Sequence, residues 1–189
     1  MTLMDGEWWC MGRDEKMILL TAFKGTSSEE LVQEAKSYKT LLLPNDKIKD
    51  TELLIQTIGE TAPKYVICFG QCPNIKNKVR IEVRAQVGEL SIETNFDCNG
   101  FVEAFLQMGI DARLSTNAGS SFCNQLYFGG LEFLRQCSLD TEIVFVHIPF
   151  LKNIDDVDTF MRKVLAVLER GMDFLKLERS KEMNFDVNI

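Results

Sequence analysis

Cys123 and His147 are the residues of this chain whose types and positions best suit catalysis. Cys123 follows a polar turn at 117–121 and lies at the start of a run in which apolar residues recur at helical spacing. The unpaired N–H groups and the dipole at a helix start favour a thiolate, so the pattern predicts a lowered pKa for this thiol. Ser120 or Ser121 is the predicted N-cap. The plainer interpretation is a small cysteine buried in the core.

His147 is the only histidine, and it follows a short apolar run that predicts a buried strand. A thiol that attacks a carbonyl needs a base to take its proton and return it to the leaving group. An imidazole at a strand end suits that role, although a lone histidine can equally be structural. A third group would orient the ring by accepting its second N–H. The candidate carboxylates are Glu82, Glu89, Asp97 and Asp111. For Glu82, the alternative is an ion pair on an edge strand with Arg80 or Arg84.

The sequence predicts that strands alternating with helices position these groups. Apolar runs predict strands at 17–23, 39–43 and 65–69, and helices are expected from Ser27 or Ser28 to about Ser37 and from Asp50 or Thr51 to near Gly59. This β-α-β-α-β order predicts a parallel sheet covered by helices. Ligand sites form at the carboxyl ends of such strands, which here carry Phe23, Lys24, Gly70 and Gln71.

The pattern changes in the second half of the chain. Strict alternation of apolar and polar residues over 79–87 predicts a half-buried strand with an antiparallel neighbour. After it the sequence predicts a loop or hairpin at 88–100, a helix at 101–108, a strand at 112–115, a helix at 121–137, a strand at 143–146 and a final helix from Asp155 or Asp156. Residues 1–14 are expected to be a loosely packed leader, and 184–189 an edge strand or a frayed tail. We expect one domain over 1–189, a three-layer α/β/α sandwich around a mixed, mostly parallel sheet.

Composition excludes several classes of function. The net charge of −7 leaves no basic surplus for nucleic acid or an anionic membrane. The chain shows no signal-peptide pattern and no apolar run long enough to span a bilayer. Its six cysteines are dispersed, which predicts reduced thiols in a cytoplasmic protein. With a single histidine and no paired cysteine motif, we expect no zinc site.

Two short motifs resemble the pyroglutamyl peptidase I family, also called the pyrrolidone-carboxyl peptidases. They read A-G-S-S-F-C-N at 118–124 and F-V-H-I-P at 145–149. Three upstream segments are similar to the family in the same order: the first loop after Thr21–Phe23, a G-Q turn at Phe69–Gln71, and a glutamate segment at Ile81–Ala85. The resemblance extends over about residues 17–170.

The resemblance implies a cysteine exopeptidase that removes an N-terminal pyroglutamyl residue from peptides through a thioester. Cys123 would be the nucleophile, His147 the general base and acid, and Glu82 the carboxylate that orients the histidine. Phe23, Gln71 and Phe122 would bind the substrate. The family is cytoplasmic, needs no cofactor and often forms homo-tetramers. The implied partners are therefore small peptides with a blocked N-terminus, with no nucleic acid and no membrane.

Three departures from the family pattern leave the specificity open. The first loop places Thr26 where the family has a second phenylalanine, and it has one glycine fewer. Val83 separates Glu82 from Arg84, and an arginine sometimes found later in that segment has no match in 88–99. Two alternatives follow: a relative with this triad that prefers another small acyl or lactam group, or a non-catalytic homologue that binds peptide ends.

Overall fold

The computed structural model describes residues 17–119 and 121–170. Within these ranges the strands are β1 (Ile18–Phe23), β2 (Lys39–Leu43), β3 (Tyr65–Cys72), β4 (Lys78–Glu82), β5 (Arg84–Val87), β6 (Leu90–Glu93), β7 (Asp111–Ser115) and β8 (Glu142–Pro149). The helices are α1 (Ser27–Glu34), α2 (Lys47–Thr61), α3 (Cys98–Gln107), α4 (Phe122–Cys137) and α5 (157–170). A short 3₁₀ helix, Leu151–Asn153, follows β8.

Six strands form the central sheet in the order β2-β1-β3-β8-β4-β7. The first four run parallel, β4 runs antiparallel to β8, and β7 runs parallel to β4. Strands β5 and β6 form a separate antiparallel hairpin. The predicted mixed, mostly parallel sheet is confirmed. Its central strands β3 and β8 are buried along most of their length, as expected for a sheet covered on both faces.

Helices cover both faces of the sheet and give the predicted three layers. The apolar residues of α1, α3 and α5 pack on one face, in a core that includes Leu31, Phe101 and Val164. The apolar residues of α2 and α4, among them Leu54 and Leu126, pack on the other face. The candidate site lies on the α4 face, at the carboxyl ends of β1, β3 and β8.

Several element boundaries differ from the sequence prediction. Helix α2 begins at Lys47, because the Asp46 carboxylate accepts hydrogen bonds from the backbone N–H groups of Ile48 and Lys49. Helix α1 ends at Glu34, earlier than predicted. The predictions for 1–14 and 184–189 lie outside the described residues.

The single strand predicted over 79–87 is wrong. It breaks at Val83, whose N–H donates to Ser115 O while its carbonyl accepts from Thr94 N. The chain leaves the main sheet at that residue and enters the β5–β6 hairpin. Among the helices of the described ranges, none has the length and hydropathy that crossing a bilayer would require.

Candidate active site

Cys123 lies in the first turn of α4 and points at the sheet below. Ser121 occupies the N-cap position with extended backbone but makes no capping bond through its side chain, and Ser120 lies outside the described residues. The Cys123 sulfur is 2.9 Å from the place that a Cβ on Gly70 would take. Real Cβ contacts are never so short, so only glycine at position 70 lets the sulfur approach β3 this closely.

His147 lies on the strand next to Gly70 and on the same face of the sheet. The two residues are partners in the parallel β3–β8 register, and paired residues of neighbouring strands project to one side. The imidazole is 7% exposed and its Nδ1 is 2.9 Å from Glu82 Oε1. Because an ionised carboxylate can only accept, Nδ1 carries the proton and Nε2 is left as the basic nitrogen.

Glu82 reaches His147 because β4 is antiparallel to β8. Its register partner is Phe145, two residues before the histidine and on the same face. The side chain is fully buried, and the Tyr127 hydroxyl donates to the Glu82 carbonyl at 2.9 Å. The alternative of an ion pair on an edge strand is therefore wrong. The guanidinium of Arg84 donates instead to Thr116 O.

The other three candidate carboxylates have different surroundings. Asp97 caps α3 by accepting from Gly100 N, and Asp111 lies 3.6 Å from the charged nitrogens of Lys78 and Arg113. Glu89 is exposed in the hairpin turn. The structure thus brings together three of the residues singled out in the sequence: Cys123, His147 and Glu82.

The predicted lowering of the Cys123 pKa is wrong. Burial raises the pKa of this thiol to about 11, and hydrogen bonds from Ser121 and from the backbone N–H of Cys123 itself offset only part of that effect. The sulfur is packed under the helix against Gly70. There the loss of hydration raises the thiol pKa by more than the N-terminus of the helix lowers it. In the part of the chain that the structure describes, no hydrogen bond joins the Cys123 sulfur to the His147 ring. Catalytic hydrogen bonds are often long before substrate binds.

A cleft of about 390 Å³ opens beside the thiol. Three aromatic rings contribute to it, and polar groups from the first loop and from β3 complete the lining. The residues that line it are Phe23, Lys24, Gly25, Thr26, Asn45, Gln71, Ser121, Phe122, Cys123 and Phe150. All three predicted substrate-binding residues are among them. Phe150 was not predicted, although its place directly after Pro149 at the end of β8 is a usable signal.

Two polar details shape the cleft. Gln71 Oε1 accepts from Ser27 N at 3.3 Å, so the amide N–H₂ of Gln71 remains available as a donor toward the cleft. The Lys47 ammonium lies 5.7 Å from the centre of the Phe122 ring, and that ring is 38% exposed. The cleft therefore combines apolar walls with a few directed hydrogen-bonding groups, as small-molecule sites do.

Asn124 makes contacts beside Cys123 that the sequence pattern did not predict. Its Oδ1 accepts from Gln86 N at 3.0 Å and its Nδ2 donates to Gln86 O at 2.7 Å. These two hydrogen bonds tie the start of α4, directly beside Cys123, to strand β5. In the described ranges, no cluster of three or more histidine, cysteine or acidic side chains could hold a metal ion.

Comparison with known proteins supplies independent information on the family. The sequence profile of the family described as "Pyroglutamyl peptidase" matches residues 88–167. A pyrrolidone-carboxylate peptidase of Bacillus cereus is 27% identical over 170 residues, which cover 72% of this chain and 79% of the relative. A relative with the same description from Alkaliphilus oremlandii is 26% identical over 59% of this chain, and the match spans 62% of that protein's length, less than two thirds.

Solved structures show the same fold. Pyroglutamyl peptidase I of Bacillus amyloliquefaciens superposes with a TM-score of 0.72 at 20% identity, covering 80% of this chain and 94% of that one. The pyrrolidone carboxyl peptidase of Fervidobacterium islandicum gives a TM-score of 0.75 at 21% identity, covering 84% and 99%. The chain is therefore similar to pyroglutamyl peptidases in part of its sequence and in its fold.

Proposed function

We propose that this protein hydrolyses the bond after an N-terminal pyroglutamyl residue, as a cysteine peptidase. The observation that carries the proposal is the buried Glu82–His147 pair, which lies on the same face of the sheet as the Cys123 thiol at the edge of an aromatic cleft. The family relationship supports the same activity.

The proposed reaction gives one role to each group. Because the Cys123 thiol is neutral at physiological pH, it needs a base at the moment of attack. His147 Nε2 takes the thiol proton while the sulfur bonds to the pyroglutamyl carbonyl carbon, and it then gives that proton to the departing amine. Water, deprotonated by the same nitrogen, hydrolyses the thioester and regenerates the thiol. Glu82 keeps the proton on Nδ1 and stabilises the imidazolium.

The cleft suits an uncharged lactam ring. Phe23, Phe122 and Phe150 provide apolar surface, and the free Gln71 N–H groups can donate to the lactam carbonyl. The backbone N–H groups in the first turn of α4 can bind the oxyanion that forms at the attacked carbonyl. Phe150 supplies an aromatic wall that the Thr26 loop lacks, which favours the pyroglutamyl group.

Release of a fluorophore from a pyroglutamyl coumarin amide tests the proposal. We expect turnover by the wild type and by Cys137→Ala, which removes an exposed cysteine at the far end of α4. Cys123→Ala should lose at least 1,000-fold in kcat, a rough figure for the loss of a nucleophile. No turnover by a wild-type protein whose Cys123 still reacts with iodoacetamide would sink the proposal.

The alternative of another acyl or lactam preference rests on Thr26. Its hydroxyl donates to Phe23 O at 2.7 Å and accepts from Ser28 N, so it fixes the first loop at the cleft without adding an aromatic surface. A panel of N-acyl coumarin amides separates the two specificities. If the loop is the cause of an altered preference, Thr26→Phe should restore pyroglutamyl hydrolysis. The non-catalytic alternative predicts no turnover of any member of the panel.

We further propose a single peptidase domain that works in the cytoplasm, with small N-terminally blocked peptides as substrates. The family resemblance supports assembly into a homo-oligomer. Light scattering coupled to size-exclusion chromatography measures the mass of the assembly directly.

A further inference from the structure

Arg80 is a cation beside the catalytic face that the mechanism above does not use. It is the antiparallel register partner of His147, so the two side chains leave neighbouring strands on the same side. Glu82 is two residues further along β4 and points the same way. The reactive histidine therefore has an acidic neighbour and a basic neighbour on one strand.

The guanidinium of Arg80 reaches across β8 toward β3. Its Nη1 lies 3.9 Å from the Cys72 sulfur, and β8 is the strand between β4 and β3. Cys72 is two residues beyond Gly70 on the same face, which places it about 7 Å along the strand from the position of the reactive sulfur. Arg80 thus brings its charge to the carboxyl end of the sheet, close to the thiol.

Arg80 has no acidic partner among the described residues. Glu82 is held by His147, and the neighbouring Arg113 on β7, the register partner of Arg80, lies 3.6 Å from Asp111. The guanidinium is half-buried and its fork of N–H donors has only a weak sulfur acceptor. A planar donor fork of this kind matches a carboxylate.

We propose that Arg80 binds a carboxylate on the residue that follows the pyroglutamyl group. The enzyme would then be selective for short substrates that carry a carboxylate on that residue. This inference rests on the proposed function. The cleft that would hold the acyl group is lined from β1, β3, α4 and Phe150, whereas Arg80 approaches from β4, on the other side. The leaving residue would extend toward Arg80.

Backbone dimensions favour the terminal carboxylate of a dipeptide. In such a substrate the carboxylate carbon lies about 4 Å beyond the scissile carbonyl carbon, a span set by three bonds. With a hydrogen bond of about 3 Å added, the carboxylate spans roughly the 7 Å between Gly70 and Cys72, whose sulfur the guanidinium contacts. An acidic side chain on the same residue offers the same chemistry from a second source, and the substrates below separate the two.

The test compares kcat/KM for pyroglutamyl-alanine, its C-terminal amide, and the C-terminal amide of pyroglutamyl-glutamic acid, which keeps its side-chain carboxylate. For the wild type we expect the free acid to exceed the alanine amide by roughly tenfold, through KM, because a charge-assisted bond is lost in the amide. A side-chain source would instead favour the glutamic acid C-terminal amide over the alanine amide. Either preference should shrink at high salt. Equal values for all three substrates would overturn the inference.

Variants assign the preference to Arg80. Arg80→Gln should abolish it, and Arg80→Lys should keep part of it as a point charge. The matched control is Arg113→Gln, which removes an arginine one strand further away and should keep the full preference. Circular dichroism checks that each variant is folded. A preference that survives Arg80→Gln, or that disappears equally in Arg113→Gln, contradicts the assignment.

The two proposals fail separately in this design. The coumarin amide carries no carboxylate, so its hydrolysis by the wild type reports the proposed function alone. Activity on that substrate without an acid preference would overturn only the role of Arg80. No activity on any of the substrates would overturn both proposals.

Discussion

Gly70 carries no side chain, and the space that its Cβ would take is filled by the Phe145 ring at 2.7 Å and the Cys123 sulfur at 2.9 Å. At the scale of single residues, the position of the Cys123 sulfur therefore depends on a neighbour that has no reactive group. The sequence placed Gly70 at a strand end near the candidate site, but its contact with a residue more than 50 positions away depends on how α4 packs on the sheet.

Gly70→Ala should displace the sulfur or the Phe145 ring. We expect a loss of about 1–3 kcal/mol in the free energy of unfolding from overpacking, with a fall in kcat larger than the fall in folded protein explains. Urea unfolding and coumarin amide turnover measure the two effects. Gly59→Ala is the matched control, because a Cβ there meets nothing within 4 Å. Full activity in Gly70→Ala would show that the sulfur does not need this approach.

The raised pKa of Cys123 predicts how the free protein reacts with an alkylating agent. With a pKa of about 11, only about one thiol in ten thousand is ionised at pH 7. The rate of reaction with iodoacetamide should rise about tenfold per pH unit between roughly pH 7 and 9. Peptide mapping by mass spectrometry follows Cys123 separately from the exposed Cys137. A plateau below pH 8 would instead indicate a preformed thiolate–imidazolium pair.

At the scale of elements, the start of α4 is held to the β5–β6 hairpin by the Asn124 side chain. Helix α4 itself is close to its predicted bounds, because its apolar spacing and its polar leading turn are local signals. The bond to the Gln86 backbone has no such signal, since it joins a helix to a strand that the sequence pattern did not separate from β4.

Asn124→Ala leaves a backbone N–H and a backbone carbonyl of Gln86 without their partner. We expect a loss of about 1–3 kcal/mol in the free energy of unfolding and a fall in kcat, because the adjacent Cys123 loses its anchor to the hairpin. Gln125→Ala, at the next residue and half-buried, is the control and should change both quantities little. Equal effects in the two variants would contradict this role.

Helix α2 carries a buried carboxylate whose charge opposes folding. Asp50 is 1% exposed, and neither oxygen has a hydrogen-bond partner among the described residues. Burial raises the pKa of Asp50. Since the folded-state pKa exceeds the unfolded value of about 3.9, the stability cost is absent below that pH and grows as pH rises through the folded-state pKa.

Asp50→Asn should therefore raise the free energy of unfolding at pH 7, by about 1 kcal/mol, and change it little near pH 3.5. Urea unfolding at the two pH values measures the difference. Asp46→Ala should act in the opposite direction at pH 7, because the Asp46 carboxylate caps α2 and its pKa is lowered by those backbone bonds. A gain in Asp50→Asn that is equal at both pH values would refute the charge argument.

At the scale of the whole molecule, the sheet order decides which residues meet. The β-α-β-α-β pattern predicted the parallel strands β1, β2 and β3 from local periodicity. It could not predict that β4 runs antiparallel to β8, and that pairing brings Glu82 to His147 and excludes the other candidate carboxylates. For this reason the sequence pattern alone did not distinguish among the four candidate carboxylates. Pairing between distant strands depends on long-range packing, which spacing along the chain does not record.

The central claim is that Cys123 becomes acylated by a pyroglutamyl group. The most direct measurement is mass spectrometry of enzyme quenched in acid after brief reaction with pyroglutamyl p-nitrophenyl ester, with N-acetylglycine p-nitrophenyl ester as the matched control. We predict one pyroglutamyl adduct on the peptide that contains Cys123, lost in Cys123→Ala and much weaker with the control ester. An adduct on another cysteine, or equal labelling by the two esters, would contradict the account.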